Sequence, residues 1–308
     1  MKRSVNGAII IVGLTFVVLI LSLGRRPSRN PVRLDLSKPV FRPRQLTYTS
    51  RMSYTIDERN PERQQLLAQV LEAPTRTVLA RLPRIPGARA VDLGCGQGNT
   101  TRCLAEALDA AECIGVEYDP ALVDYAQTRP DNPASVRFQQ GDAAQLPFPD
   151  ASFDLAFCRY LLIHIADPLR VVGEMMRVVR PGGFLVAYEG DFSAVGTSHP
   201  PCAALETIHR VWRGLFQNPP AGRQLVHYFR DAGARDIRAG AWTELEQDSR
   251  TIRRIYRLSA EATGPAAASK GILTSSEVDE MIAGLIELEE DDSSVLVKFP
   301  DIWVIARR

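Results

Sequence analysis

The chain has 308 residues, of which 45% are hydrophobic and 24% are charged, and its net charge is +1. This composition is typical of a globular protein and excludes a wholly disordered chain, a collagen-like fibre and a polytopic membrane protein. The charge is uneven, because residues 1–51 hold ten basic residues and one acid, whereas residues 52–308 hold 27 bases and 35 acids. An acidic body of this kind argues against a nucleic-acid partner.

The first feature along the chain is an uncharged apolar run. Residues 7–24 contain 18 residues without a charge, which as a helix just span a bilayer core of about 30 Å. We predict an uncleaved transmembrane anchor over residues 1–24. The alternative is a cleaved signal peptide, for which the small residues at 22–24 form only a weak cleavage site. Two basic residues precede the run and seven follow it within residues 25–44, so we expect the body to face the cytoplasm.

The body begins after a basic linker, residues 25–60, whose prolines suit a semi-rigid spacer. Residues 61–81 are predicted to be helical with an interruption near Pro74. Short apolar strands then alternate with helices, which predicts βαβ units, a parallel sheet and the α/β class. The predicted strands are 90–93, 113–117, 136–139, 153–158, 184–189, 235–241, 295–297 and 302–305, and the predicted helical stretches are 100–108, 120–127, 169–179, 196–233, 249–262 and 275–289.

A glycine-rich turn follows the first predicted strand. The sequence at 91–100 is VDLGCGQGNT, with Gly94, Gly96 and Gly98 between a strand and a helix. Glycines there allow a tight turn and let a ligand approach the backbone at the carboxyl end of a parallel sheet. Phosphate loops, dinucleotide folds and plain turns share this pattern, so the turn alone does not identify the ligand.

Acidic residues at three successive strand ends narrow the chemical class of the ligand. Asp92 precedes the first glycine, Glu117 ends the second strand and Asp142 follows the third. The carboxylate of Asp92, beside the glycines, repels a phosphate and attracts a positively charged amino group. The carboxylate of Glu117, about 20 residues further on, can accept hydrogen bonds from ribose hydroxyls. The three acids therefore predict a nucleoside ligand without phosphates.

The ordered segments DLGCGQG, GVEYDP, GDAAQLPFPDASFD and RPGG resemble those of class I S-adenosylmethionine (SAM)-dependent methyltransferases, with the small-molecule and quinone type most similar. The resemblance covers residues 61–190. It implies a Rossmann-like, seven-stranded, mostly parallel sheet with helices on both faces, whose last strand is antiparallel and comes from residues 295–308. It also implies SAM as the coenzyme. We assign the methyltransferase domain to residues 61–308.

The resemblance implies a role for each matching position. Those near the methionine part of SAM are Asp92, Gly94, Gly96 and Gly98; Glu117 would hold the ribose hydroxyls, Asp142 and the Ala143 backbone would meet the adenine, and Arg159 would lie near the methyl-transfer face. Tyr48 and Tyr54 could form a lid. The five cysteines show no CxxC or Cys/His spacing, so no metal site is predicted.

The acceptor side is less defined. A hydroxyl acceptor must lose a proton, and the candidate bases are His164, Glu189 and Asp191, which follow the fourth and fifth predicted strands. A structural alternative for His164 is a hydrogen bond to Asp167. Residues 191–294 are expected to form the acceptor pocket, with a small-molecule, apolar acceptor methylated at oxygen. Its candidate aromatic walls are Phe192, Trp212, Phe216, Tyr228, Phe229 and Trp242.

Two other functions stay open at this point. An NAD-dependent oxidoreductase would need G-x-G-x-x-G, and the spacing here is G-x-G-x-G. A membrane-tethered module could also bind SAM without turnover. The segment NPPA at 218–221 is similar to a signature of enzymes that methylate planar nitrogens, but it lies about 60 residues too late and lacks the final aromatic residue, so it does not support nucleic-acid methylation.

Overall fold

The computed structural model describes residues 60–243, 245–246 and 250–308. The helices are α1 (Pro61–Leu79), α2 (Asn99–Leu108), α3 (Pro120–Thr128), α4 (Pro168–Val178), α5 (Ala203–Leu215), α6 (Ala221–Asp231), α7 (Arg250–Ser269) and α8 (Ser275–Glu290). The strands are β1 (Arg89–Leu93), β2 (Glu112–Glu117), β3 (Val136–Gln140), β4 (Phe153–Arg159), β5 (Val179–Gly190), β6 (Thr197–His199), β7 (Arg235–Trp242), β8 (Leu245–Glu246), β9 (Val295–Val297) and β10 (Asp301–Arg307).

The predicted anchor, the linker, Tyr48 and Tyr54 lie outside the described residues. Within the described part of the chain, no helix combines the length and the apolarity that a membrane crossing requires.

Seven strands form the central sheet in the order β3-β2-β1-β4-β5-β10-β7. The first five pair in parallel, and β10 is antiparallel to both of its neighbours. The prediction of a mostly parallel seven-stranded sheet with an antiparallel C-terminal strand is therefore confirmed. The carboxyl ends of β1, β2, β4 and β5 lie at one edge of this sheet, where α/β folds bind their ligands.

Alternation along the strands builds a core on each face of the sheet. In β1, Val91 and Leu93 belong to one hydrophobic cluster, whereas Ala90 belongs to the other. Successive side chains of a strand point to opposite faces, so the two clusters cover the two faces. Leu104 of α2 packs in the Ala90 cluster and Val171 of α4 in the Val91 cluster. Both faces of the sheet are thereby covered with helices, as predicted.

Three local predictions were wrong. Helix α1 runs unbroken through Pro74, because it buries Leu71 and Val78 on either side of the proline, and this packing offsets one lost hydrogen bond. Helix α4 ends at Val178, and β5 begins at Val179, five residues before the predicted strand start at 184, so the RPGG segment belongs to β5. Residues 295–297 join a separate three-stranded sheet in the order β6-β9-β8.

Candidate functional site

The glycine turn joins β1 to α2 in a conformation that favours glycine. Gly94, Gly96 and Gly98 have φ values of +69°, +53° and +78°, a region that side chains with a Cβ rarely enter. The amides of Gly94 and Cys95 donate hydrogen bonds to the carbonyl of Val116 at 2.8 and 3.1 Å. These bonds fix the loop against the end of β2.

The three glycines meet different surroundings. A Cβ on Gly94 would lie 2.7 Å from Leu161 Cδ1, and a Cβ on Gly98 would overlap the Phe138 ring. A Cβ on Gly96 would meet no described atom within 4 Å. Gly94 and Gly98 are therefore required for packing, whereas Gly96 keeps space open at the surface of a cleft that it lines. A coenzyme held against the loop requires this open space.

Glu117 ties the end of β2 to the glycine loop. Its side chain is 3% exposed. Its Oε2 accepts from the amide of Gly96 at 3.0 Å, and its Oε1 accepts from the amides of Tyr118 and Asp119 at 2.7 and 3.0 Å. Glu117 and Gly96 line the same cleft, so the structure brings these two predicted contacts together.

The turn after β3 lies beside Glu117, because the amide of Gly141 donates to the Glu117 carbonyl at 2.9 Å. Asp142 Oδ1 accepts from the amide of Ala144 at 2.8 Å. Neither Asp142 nor Ala143 is among the described residues that line the cleft. Their contact with the adenine stays a prediction.

Asp92 lies beneath the loop and does not line the cleft. It is 1% exposed, and the Thr101 hydroxyl donates to its Oδ2 at 2.8 Å. Burial raises the pKa of Asp92 to about 7, although the Thr101 hydrogen bond and the charge of Arg159 lower it. Its predicted contact with the amino group of SAM stays a prediction.

The cleft extends from the glycine loop to a wall formed by α1, α5, α7 and the segment between β9 and β10. Between the described residues it encloses about 1290 Å³ of empty space, its open mouth included. The lining residues used below are Arg63, Gly94, Gly96, Glu117, Arg159, Tyr160, His164, Phe192, Trp212, Phe216, Tyr256, Ser259, Lys298 and Phe299.

Arg159 and Tyr160 stand at the end of β4. Arg159 lines the cleft, and its Nη1 donates to Thr75 Oγ1 of α1 at 3.0 Å. Its place near the methyl-transfer face stays a prediction. Tyr160 has a φ of +53°, an uncommon conformation for a residue with a Cβ. This backbone geometry accompanies a side chain that also lines the cleft.

His164 lines the cleft with its ring edge-on to Phe216 at 5.2 Å. Burial, and secondarily the charge of Arg63, lowers the pKa of His164 to about 4. The imidazole is therefore neutral at pH 7. Among the described residues the ring has no hydrogen-bond partner, and Asp167 instead accepts from the amide of Arg170 as the N-cap of α4. The neutral ring is free to accept a proton from a ligand.

Glu189 and Asp191 lie behind the cleft wall. Glu189 is fully buried, and its Oε1 accepts from the amides of Leu161 and Leu162 at 2.8 Å each. Burial raises the pKa of Glu189 to about 8. Asp191 forms an ion pair with Arg223 at 2.6 Å. Neither acid is among the described lining residues, so this geometry favours positioning roles over direct contact with an acceptor.

The predicted aromatic walls divide into two groups. Phe192, Trp212 and Phe216 line the cleft, and Phe192 packs 5.4 Å from Trp212 and 4.7 Å from Phe216 between ring centres. The other three do not line it: Tyr228 and Phe229 belong to α6, and Trp242 ends the edge strand β7. The prediction of an aromatic pocket therefore fits half of its residues.

Sequence reasoning placed α7 in the acceptor region but missed the contributions of α1 and the β9–β10 segment. Arg63 of α1 donates to Ser259 of α7 at 2.9 Å, and both line the cleft with Lys298 and Phe299. One signal was present in the sequence. The chain has only four lysines, and Lys298 alone lies in an apolar strand-like run, VLVKFP.

The buried histidines predict how stability depends on pH. His209 is fully buried, its Nε2 accepts from the amide of Gly196 at 3.0 Å, and burial lowers its pKa to about 4. The unfolded chain binds this proton near pH 6.5, so the free energy of unfolding falls as the pH drops from 6.5 towards 4, by up to about 3 kcal/mol for this ring. Asp92 and Glu189, with raised pKa values, act in the opposite direction.

A variant separates these opposing contributions. We expect His209→Gln, which keeps an acceptor but cannot titrate, to lose less stability between pH 7 and pH 5 than the wild type does. The measurement is the urea unfolding midpoint at both pH values. Equal losses in the two proteins would contradict the prediction.

A family model described as "Methyltransferase domain" matches residues 91–187. This match contains the glycine loop, Glu117 and the end of β4 that form the cleft. Residues 91–187 therefore form a methyltransferase domain. This domain favours SAM over the NAD-dependent alternative.

Similar proteins agree with this assignment. The chain is 36% identical to a demethylmenaquinone methyltransferase of Deinococcus radiodurans over 38% of this chain and 47% of that protein. It is 29% identical to the O-methyltransferase cnsE of Penicillium expansum over 72% and 78%. The crystal structure of YcgJ from Bacillus subtilis has the same fold, with a TM-score of 0.54 and 20% identity over 77% of this chain and 98% of that one. The chain spans about half the length of the first two curated relatives it matches, 46% and 47%.

Proposed function

We propose that this methyltransferase transfers a methyl group from SAM to a hydroxyl oxygen of an apolar small molecule. The observation that carries the proposal is the Glu117–Gly96 hydrogen bond at the mouth of an aromatic cleft. A carboxylate there suits the ribose hydroxyls, and the open space beside Gly96 suits close approach of the coenzyme. When bound, SAM supplies a methyl group already activated on a positively charged sulfur.

The names of similar proteins support the acceptor class. Besides the two methyltransferases above, the chain is 34% identical over 154 residues to a 27-O-demethylrifamycin SV methyltransferase of Amycolatopsis mediterranei. Two of those names, the demethylmenaquinone and the 27-O-demethylrifamycin SV methyltransferases, describe small-molecule acceptors, and two, the 27-O-demethylrifamycin SV methyltransferase and the O-methyltransferase cnsE, specify oxygen. The aromatic cleft walls fit an apolar acceptor in the same way.

The chain's own residues then have three tasks. The glycine loop and Glu117 hold the coenzyme, and the rings of Phe192, Trp212 and Phe216 exclude water and hold the acceptor in line with the methyl carbon. His164 accepts the proton of the hydroxyl, since its ring is neutral and lines the cleft. Glu189 keeps the segment that carries His164 in place through the amides of Leu161 and Leu162.

His164→Gln tests the base. We expect kcat to fall about 100-fold, at the lower end of the effect of a general base because a ring with a low pKa is a weak one. SAM affinity should not change, because the loop and Glu117 remain. The measurement is S-adenosylhomocysteine release under saturating substrates. If the kcat of His164→Gln equals that of the wild type at every pH from 6 to 9, another group takes the proton.

The function itself is tested by binding and turnover. Calorimetry should show SAM binding and no NAD binding to the purified protein. Incubation with labelled SAM and a panel of naphthols, hydroquinones and aromatic amines should give labelled ethers. Labelled amines would show that the enzyme methylates nitrogen. If SAM binds but neither the panel nor a membrane extract gives a labelled product, the result supports a SAM-binding module without turnover.

We also propose that residues 8–23 form a single-pass anchor with the domain in the cytoplasm. The uncharged run and the excess of basic residues after it support this arrangement. An anchor of this kind would keep the enzyme close to membrane-dissolved acceptors. The full chain should resist alkaline extraction from membranes, and deletion of residues 1–24 should release it. Extraction of the full chain into the soluble fraction would contradict the proposal.

A further inference from the structure

A charged cluster lies at the acceptor end of the cleft, among aromatic rings. Lys298 and Tyr160 both line the cleft. Lys298 Nζ donates to the Tyr160 hydroxyl at 3.0 Å and forms an ion pair with Asp301. Asp301 also accepts from the hydroxyls of Tyr160 and, at 3.0 Å, Tyr188. The side chains of Lys298 and Asp301 are only 12% and 6% exposed.

The arrangement places the positive charge towards the ligand. Asp301 is not among the described lining residues, so the carboxylate lies behind Lys298 as seen from the cleft. Burial and the Asp301 charge raise the pKa of Tyr160 well above its ordinary value, and the phenol stays neutral. Lys298 is therefore a cation at this end of the cleft, and its ammonium lies 5.0 Å from the centre of the Phe299 ring.

Two of the three ammonium N–H groups have partners among the described residues, Tyr160 and Asp301. One N–H remains for a ligand, which suits a single oxygen better than a two-oxygen carboxylate. A buried ammonium stabilises a negatively charged oxygen beside it, and so it lowers the pKa of a bound hydroxyl. This effect is largest for hydroxyls that are already acidic.

We propose that Lys298, positioned by Asp301 and Tyr160, binds the reacting oxygen of the acceptor, and that the acceptor is a phenol or an enol that reacts as its oxyanion. This inference rests on the proposed function and assigns the substrate class of that site. It also accounts for a base as weak as His164, because the ammonium makes the hydroxyl easier to ionise.

The step balances as follows. The acceptor O–H bond breaks, and its proton passes to the neutral ring of His164 and then to water. The oxyanion forms a bond to the methyl carbon as the carbon–sulfur bond breaks. The electron pair of that bond stays on the sulfur, which becomes neutral. The products are the methyl ether and S-adenosylhomocysteine.

Several titratable groups are packed around this position. On the strands and the turn after β4 they are Tyr160, Tyr188, Glu189, Asp301 and His164, and on the helices that cover the cleft they are Arg63, His209 and Tyr256. A bound phenol whose absorbance reports its own ionisation can be titrated separately from these groups.

The test uses 4-nitrophenol, whose ionised form absorbs visible light. The full-length protein is saturated with S-adenosylhomocysteine, and the pH at which the bound probe is half ionised is compared with that in buffer. We expect the bound probe to ionise at least about one pH unit lower, which corresponds to tenfold tighter binding of the phenolate than of the phenol. Lys298→Met should abolish this shift.

Removal of Lys298 leaves the Asp301 carboxylate without its cation, and this can disturb the fold. The double variant Lys298→Met/Asp301→Asn removes both charges and should also show no shift. The matched control is Lys270→Met, because Lys270 is exposed at the end of α7 and should leave the shift unchanged. Calorimetry with S-adenosylhomocysteine checks that each variant keeps its coenzyme site.

The outcomes separate the two proposals. A shift that persists in both Lys298 variants overturns this inference, as does failure of 4-nitrophenol to bind the wild type. Lys298-dependent binding of benzoate in preference to 4-nitrophenol would replace the substrate class with a carboxylic acid. Failure of the wild type to bind SAM or S-adenosylhomocysteine would instead overturn the proposed function.

Discussion

Replacing Glu117 with alanine should raise the Kd for SAM about 1,000-fold. A carboxylate that accepts two ribose hydroxyls makes two charge-assisted hydrogen bonds of about 1.5–3 kcal/mol each, and about 1.4 kcal/mol changes an equilibrium tenfold. The substitution also removes the acceptor for the amide of Gly96, so the loop loses part of its support. Calorimetric titration of SAM into the purified variant measures the effect.

Asp124→Ala is the matched control for Glu117→Ala. Asp124 lies on the exposed side of α3, which follows β2 directly. Its removal also deletes one acid, but Asp124 is not among the described lining residues of the cleft. We expect the Kd of this control to stay within a factor of about two. A loss of affinity equal in both variants would mean that net charge matters, and Glu117 would have no specific contact with the coenzyme.

Gly96→Ala should abolish measurable SAM binding while the protein stays folded. Gly96 has a φ of +53°, and a Cβ there would point into open space at the cleft surface. The alanine costs about 1–2 kcal/mol of stability for the left-handed backbone. The added methyl group occupies the space that the coenzyme needs.

Gly182→Ala separates these two effects. Gly182 has a φ of +78°, and a Cβ there would also meet nothing within 4 Å. The residue lies near the start of β5 and does not line the cleft. Both variants should therefore lower the urea midpoint to a similar extent, and only Gly96→Ala should lose SAM binding. Retained binding in Gly96→Ala would place the coenzyme away from the loop.

The glycine-loop end of the cleft could be predicted because its signals are local. Gly94, Gly96 and Glu117 follow strands β1 and β2 within a few residues, and parallel strands bring their carboxyl ends together. The mostly parallel, seven-stranded sheet with its antiparallel last strand followed from the same alternation and from the family resemblance. The structure confirmed this sheet and showed Glu117 bonded to the loop.

The acceptor side could not be predicted in the same way because its contacts join distant segments. Arg63 and Ser259 are 196 residues apart, and Lys298 and Tyr160 are 138 residues apart. No spacing rule links such pairs. The sequence also did not indicate that Glu189 is buried. An acid at a strand end can equally lie at the surface of a cleft or accept hydrogen bonds from backbone amides in the interior.

The position of β10 between β5 and β7 also determines when the cleft can form during synthesis. The glycine loop leaves the ribosome about 200 residues before Lys298 and β10. Until β10 is inserted, β7 has no partner in the sheet and β5 has no partner on the side away from β4, and the Lys298 ammonium is missing from the cleft. The glycine loop and Glu117 are thus synthesised well before the ammonium that completes the acceptor end of the cleft.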